Sequence, residues 1–297
     1  RLIRVWGLMF PMSGFASTLA FVFVLRYGST MIIRQEISLG DFVALTSYLA
    51  MLVWPMIAVG WVINVVQRGY AALDRINKIL NEVPEVADEP GAVDLPDAAG
   101  TIEFRNVTFS YSPELPPTLS DVSFTIDAGK TLAIVGRTGS GKSTIVSLLT
   151  RLHNPPPGSV FIDGHDIRQI TLRSLRGQLG VAPQESFLFS TTIGKNIAFA
   201  SDDYPMERIE HFAEVAQVRK DISEFPDGFD TMVGERGVTL SGGQKQRVCI
   251  ARALIKEPKV LVLDDCLSAV DTQTEERILR GLREYMHGRT SIIISHR

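Results

Sequence analysis

Cysteine is scarce in this 297-residue sequence, and so, over its first quarter, is charge. Two cysteines, Cys249 and Cys266, cannot build a disulfide framework, and no Cys/His spacing resembles a zinc site. Both sit in segments that read as buried, which makes them inert core thiols. A net charge of -3 argues against a strongly basic nucleic-acid binder. With 45% hydrophobic and 21% charged residues, the chain is neither collagen nor a disordered tail. The average hides a split. Residues 1–70 hold only Arg1, Arg4, Arg26, Arg34, Glu36, Asp41 and Arg68 as charged side chains, a net of +3, so the rest of the chain carries the acidic excess.

What fills that quarter is apolar. Val5–Leu25 and Phe42–Gln67 are charge-free runs of 21 and 26 residues. At about 1.5 Å per helical residue they span roughly 32 and 39 Å, against a hydrocarbon core of about 30 Å. A soluble helix of this length would show a polar stripe. The runs predict two membrane helices, about 5–33 and 42–67, forming an antiparallel hairpin with a tight turn around 34–40. Residues 70–80 continue the second helix out of the bilayer. Arg1, Arg4, Arg68, Arg75 and Lys78 flank the open end, which the positive-inside rule places in the cytoplasm. Arg26 either lines a polar cavity or snorkels to the interface. The chain opens on Arg1 and not Met, so its start reads as an internal cut through a longer protein.

Residues 81–100 then bring Pro84, Pro90, Pro96, six acids and no base. Proline and like-charge repulsion disfavour packing here. The stretch reads as a solvated acidic linker, with an acidic binding tail as the alternative. It divides the chain into 1–80, the C-terminal part of a transmembrane domain, and 101–297, a nucleotide-binding domain.

From Thr101 short β-type runs alternate with helical ones, as in an α/β domain. The apolar strand 131–135 leads into Gly136, Arg137, Thr138, Gly139, Ser140, Gly141, Lys142 and Ser143, with Thr144 opening an apolar helix. This is the P-loop pattern in its strand–loop–helix setting. Backbone N–H groups freed by glycine close around a phosphate, and the helix N-terminus favours the anion. Lys142 is placed to reach the β- and γ-phosphates and Ser143 to offer a hydroxyl to Mg²⁺. A second buried strand, 259–263, ends at Asp264 and Asp265. The first acid is suited to holding Mg²⁺ and the second to orienting water. Between these motifs Ser241, Gly242, Gly243 and Gln244 begin an amphipathic helix, with Ser241 as its N-cap. A chain with one P-loop needs no second phosphate clamp in cis, so this helix start is suited to a nucleotide held by another subunit.

These motifs, in this order, resemble those of ATP-binding cassette (ABC) transporters of the exporter type, over essentially the whole chain. The resemblance implies that Tyr111 stacks on adenine, that residues 136–143 are Walker A and that Gln184 is the Q-loop glutamine contacting Mg²⁺ and the membrane domain. Residues 233–237 match the exporter segment before the signature, 240–244 the signature itself, 260–264 Walker B and 268–271 the D-loop. His296 matches the switch histidine. His153, His165, His211 and His287 have no such support and read as surface or turn residues. The implied fold is a membrane all-α part, the last two transmembrane helices, followed by an α/β P-loop NTPase domain with a helical subdomain, truncated at its C-terminus. Four further membrane helices would precede it. The implied ligands are ATP and Mg²⁺, and the implied activity is ATP-driven export by a half-transporter of a cell membrane, multi-pass, with the nucleotide domain cytoplasmic and no nucleic acid involved.

One position departs from the pattern. The residue after the Walker B aspartate is normally glutamate, and here it is Asp265. One missing methylene withdraws the carboxylate by about 1.5 Å. The same change marks the weak site of heterodimeric exporters, so the resemblance favours a second, different half-transporter as partner. Two rivals stay open: a regulatory subunit that binds but does not hydrolyse ATP, and a soluble ABC ATPase of DNA repair or translation.

Overall fold

A computed structural model describes residues 2–95, 97–201, 203–234, 240–270 and 272–295, with backbone only for 2–11, 13 and 272. The chain divides into two compact units, Arg1–Val83 and Pro84–Arg297.

The first unit is a helical hairpin, α1 (Leu2–Ile33) and α2 (Leu39–Leu80). Its turn is closed by a capping box: Ser38 Oγ accepts from the Asp41 N–H at 3.1 Å, and Asp41 Oδ2 accepts from the Ser38 N–H at 3.2 Å. Large apolar side chains face outward; Phe15, Trp54 and Trp61 are 70%, 76% and 62% exposed. A soluble protein buries such groups, whereas a lipid-facing surface displays them. Both helices are long and apolar enough to cross a membrane. The second runs unbroken past Gln67 to Leu80 with Pro55 inside it. A proline is tolerated there because the surrounding turns still satisfy the backbone.

Among the described residues the second unit holds two four-stranded sheets. In chain order its elements are β1 (Ile102–Phe109), β2 (Leu119–Ile126), β3 (Thr131–Val135), α3 (Lys142–Leu149), β4 (Val160–Ile162), β5 (His165–Asp166), α4 (Leu172–Gln178), β6 (Leu179–Ala182), α5 (Ile193–Ile197), α6 (Met206–Val215), α7 (Arg219–Ser223), α8 (Gly242–Leu254), β7 (Val260–Asp264), α9 (Thr272–Met286) and β8 (Thr290–Ser295). The antiparallel sheet runs β2-β1-β4-β5 and the parallel sheet β3-β8-β7-β6. Strand β7 explains why its sequence shows no alternation. Val260 and Val262 face a core shared with the antiparallel sheet and α3, while Leu261 and Leu263 face a second core under α5, α6, α8 and α9. A parallel strand covered on both faces must be apolar throughout. Cys249 and Cys266 are buried, and burial pushes the Cys266 thiol up to about 12, which fits the reading of inert thiols.

The stretch read as a solvated linker is largely exposed, as expected, but from Glu85 onward it is tied by hydrogen bonds to the rest of the second unit. Val93 pairs with Ile170 as an isolated parallel bridge. The Leu95 N–H donates to Ser174 Oγ at 2.8 Å, and Ala98 is buried. The missing bases are supplied from elsewhere in the sequence. Arg168 pairs with Glu89, and Asp88 Oδ1 accepts from the Leu172 N–H at 2.6 Å, where an acid is favoured by the start of α4.

Candidate nucleotide site

In a parallel sheet, ligands gather outside the carboxyl ends of the strands. Here Val135 lies opposite Ser295, Asp264 opposite Ile294, and Ala182 opposite Leu263. The P-loop after β3, the acids closing β7 and the Pro183-Gln184 turn after β6 therefore leave the sheet at one edge. Ser143, Gln184 and Asp264 line one cleft of about 960 Å³ at this edge, together with Arg176, Arg252 and Lys256. Hydroxyl, amide and carboxylate oxygens on one cleft are a hard-donor set suited to Mg²⁺.

The loop itself is built on positive-φ glycines. Gly141, the N-cap of α3, has φ +87, and a Cβ there would lie 2.7 Å from Leu119 Cδ2 and 2.9 Å from the Thr118 carbonyl oxygen. Gly141→Ala is expected to cost about 1–2 kcal/mol in backbone strain alone, read as a lower thermal midpoint. Residues 136–140 are exposed, whereas Lys142 is 6% exposed. Its Nζ donates to the Gly136 and Arg137 carbonyls at 2.8 and 2.9 Å, which holds the ammonium inside the loop.

Tyr111 is half exposed, and its hydroxyl lies 3.0 Å from Thr144 Oγ1. This ties the aromatic ring to the first turn of the P-loop helix. His153 meets that ring edge-on with centroids 5.0 Å apart, and Phe109 does so at 5.1 Å. The sequence offered no reason to single out His153. It follows α3 closely in the chain, and only the fold brings it back over Tyr111.

The two acids part company. Asp264 lines the main cleft, while Asp265 opens onto a separate one of about 220 Å³ with Ser268, Glu275 and Ser295. The Asp265 backbone sits at φ +43. Its N–H donates to the Ile294 carbonyl at 3.0 Å, and its carbonyl accepts from Ser268 Oγ at 3.0 Å.

Ser241 caps α8 as its sequence suggests, accepting from the Gln244 N–H at 3.2 Å while Gln244 Oε1 accepts from the Ser241 N–H at 2.9 Å. Gln244 and Arg247 both hold Asp221 on α7. Gly243 passes against the backbone of Ala269; a Cβ would come 2.9 Å from that carbonyl oxygen. Gln246, unremarked in the sequence, explains the contact. Its amide donates to Ser268 Oγ and accepts from the Ala269 N–H, both at 3.0 Å. A buried glutamine two residues beyond the signature was the available signal. His296, Asp271 and residues 235–237 lie outside the described residues.

Comparison with known proteins meets this geometry. The family model for the ABC transporter matches residues 119–268, and that for the ABC transporter transmembrane region matches residues 1–56. The chain is 45% identical over 273 residues to the probable multidrug resistance ABC transporter ATP-binding/permease protein YheI of Bacillus subtilis, covering 92% of this chain and 46% of that one. It is 42% identical to the ATP-dependent lipid A-core flippase of Photorhabdus laumondii, covering 100% of this chain and 51% of that protein. Among solved structures, a bacterial Atm1-family ABC exporter with ATP bound aligns with a TM-score of 0.77 at 41% identity, over 88% of this chain and 46% of the other. The chain thus spans about half the length of the relatives it matches. The match to the transmembrane region takes in α1 and the first part of α2, the P-loop falls within the match to the ATP-binding domain, and the chain belongs to the ABC transporter family.

Proposed function

We propose that this chain is part of an exporter half-transporter that couples ATP binding and hydrolysis to efflux across a cell membrane, with its nucleotide domain in the cytoplasm. The observation that carries the reading is the single cleft onto which Ser143, Gln184 and Asp264 all open, next to a buried Lys142. Those three side chains would hold Mg²⁺, which neutralises charge developing between the β- and γ-phosphates. The N–H groups of 136–143 and Lys142 bind the phosphates, and Tyr111, held by Thr144, His153 and Phe109, offers its ring to the base. His296 is assigned the γ-phosphate by its place after β8.

Ser241–Gln244 present an exposed helix start suited to the γ-phosphate of a nucleotide on a second half-transporter, with the two domains closing head to tail around ATP. Asp265 favours a partner of different sequence. This chain's own site would hydrolyse poorly and mainly hold ATP, while its intact signature completes a competent site on the partner.

Two measurements together test this reading. Alkaline carbonate extraction is expected to leave the protein in the membrane pellet, and vanadate with Mg-ATP is expected to trap nucleotide mainly on the partner. Release into the supernatant would instead favour a soluble ABC ATPase. Equal trapping on both subunits would remove the weak-site assignment.

A further inference from the structure

The loop that follows β7 is held by a buried side chain of α8. Gln246 is 5% exposed, whereas Ser268 and Ala269, the residues it reaches, are both exposed. Its Oε1 accepts from the Ala269 N–H and its Nε2 donates to Ser268 Oγ, both at 3.0 Å. Gly243, three residues earlier on the same helix, closes on the Ala269 carbonyl so tightly that a Cβ would lie 2.9 Å from its oxygen. Burying an amide is costly unless its groups are bonded, and this one spends both of its bonds on the exposed loop.

These contacts have a direction. A backbone N–H can only donate, so the amide oxygen of Gln246 faces Ala269 and its NH2 group faces Ser268. An NH2 group also can only donate, so Ser268 Oγ receives it and keeps its own proton. That proton goes to the Asp265 carbonyl, 3.0 Å away. The polarity therefore runs from Gln246 to Ser268 to Asp265. A hydroxyl on an exposed residue is otherwise free to turn toward water, and the bond from Gln246 aims it.

The residue at the end of this chain of bonds is strained. Asp265 sits at φ +43, a left-handed conformation that a residue with a side chain keeps only where its surroundings impose it. Its N–H donates to the Ile294 carbonyl at 3.0 Å, which fixes one side of the residue. Ser268 fixes the other, through its hydroxyl at 3.0 Å and more weakly through its N–H at 3.4 Å.

We propose that Gln246 is a positioning residue for hydrolysis: acting through Ser268, it fixes the backbone of Asp265 and so the place of its carboxylate. The proposal rests on the reading of Asp265 as the acid that orients the attacking water at this chain's ATP site. A fixed backbone makes carboxylate length decisive, because the chain cannot shift to make up a missing methylene. A released backbone blurs the difference between aspartate and glutamate. A residue that only packed α8 would scale the rates of both acids alike.

The test uses the full-length transporter paired with the proposed second half-transporter in lipid nanodiscs. Single-turnover hydrolysis is read at this chain's own site, and calorimetry on the same samples measures Mg-ATP binding. In the otherwise native protein Asp265→Glu is expected to raise the rate by on the order of 10²-fold. In Gln246→Met, whose unbranched stem keeps the bulk of the side chain, the same change should raise it by less than about tenfold. Mg-ATP affinity should stay within about twofold of native. A gain of equal size in both backgrounds overturns the proposal, and so does a Gln246→Met that loses Mg-ATP affinity in step with its rate. If Gln246→Met does not fold, Ser268→Ala decides by the same readings, since it removes the hydroxyl donor to Asp265 and leaves the bond between Ala269 and Gln246. Failure of Asp265→Glu to change the rate in the otherwise native protein, with Mg-ATP still bound, would sink the reading of Asp265 itself, and the positioning with it.

Discussion

Asp265→Glu is expected to raise single-turnover ATP hydrolysis at this chain's own site by on the order of 10²-fold. The added methylene advances the carboxylate by about 1.5 Å, and the backbone cannot make up that distance in the native protein. Asp265 is fixed by its N–H bond to Ile294 and by Ser268, whose hydroxyl donates to its carbonyl. Ser268 is held in turn by the buried Gln246. Asp265 lines the smaller cleft with Ser268 and Glu275, whereas Ser143 and Asp264 line the larger one. The left-handed φ suits aspartate better than glutamate, so the gain in rate should come with a small loss of thermal stability. Single-turnover measurement on the transporter paired with the proposed second half-transporter reads the effect. An unchanged rate would mean that carboxylate length does not limit this site.

Lys142→Met carries the second large effect. Charge-assisted hydrogen bonds contribute about 1.5–3 kcal/mol, so losing the ammonium should weaken Mg-ATP binding by about 10- to 100-fold. Methionine keeps an unbranched stem of similar reach. It also abandons two loop carbonyls, those of Gly136 and Arg137, both in exposed residues that water can reach to replace the lost donor. The thermal midpoint should therefore move little while affinity falls. Affinity within about twofold of native would place the lysine away from the phosphates.

The P-loop, the two apolar helices and the capped start of α8 were legible in the sequence because each is written in contiguous residues. Gly141, Lys142 and Ser143 carry their chemistry in their spacing, and Ser241 with Gln244 spells a capping box. The ties that hold residues 85–95 to the rest of the second unit are not legible, for the opposite reason. Residues 81–100 contain acids without bases, and Arg168, which pairs with Glu89, and Arg151, which bonds the Ala87 carbonyl, lie more than 60 positions downstream. Local charge counting cannot see such partners. His153 was passed over similarly, since its role beside Tyr111 depends on α3 packing back against β1. Gln246 was the nearest miss, lying on the same helix as the signature with its partners across the fold at Ser268 and Ala269.

The most direct test of the site is a calorimetric titration of ATP, with and without Mg²⁺, into the native transporter and Asp264→Asn. Asp264 is 6% exposed and opens onto the same cleft as Ser143 and Gln184. Native protein is expected to bind ATP more tightly with Mg²⁺ than without it. Asp264→Asn is expected to retain the metal-free affinity and lose most of the Mg²⁺ enhancement. An enhancement that survives undiminished in Asp264→Asn, or no ATP binding by the native protein, would contradict the assignment of this cleft as the Mg-ATP site.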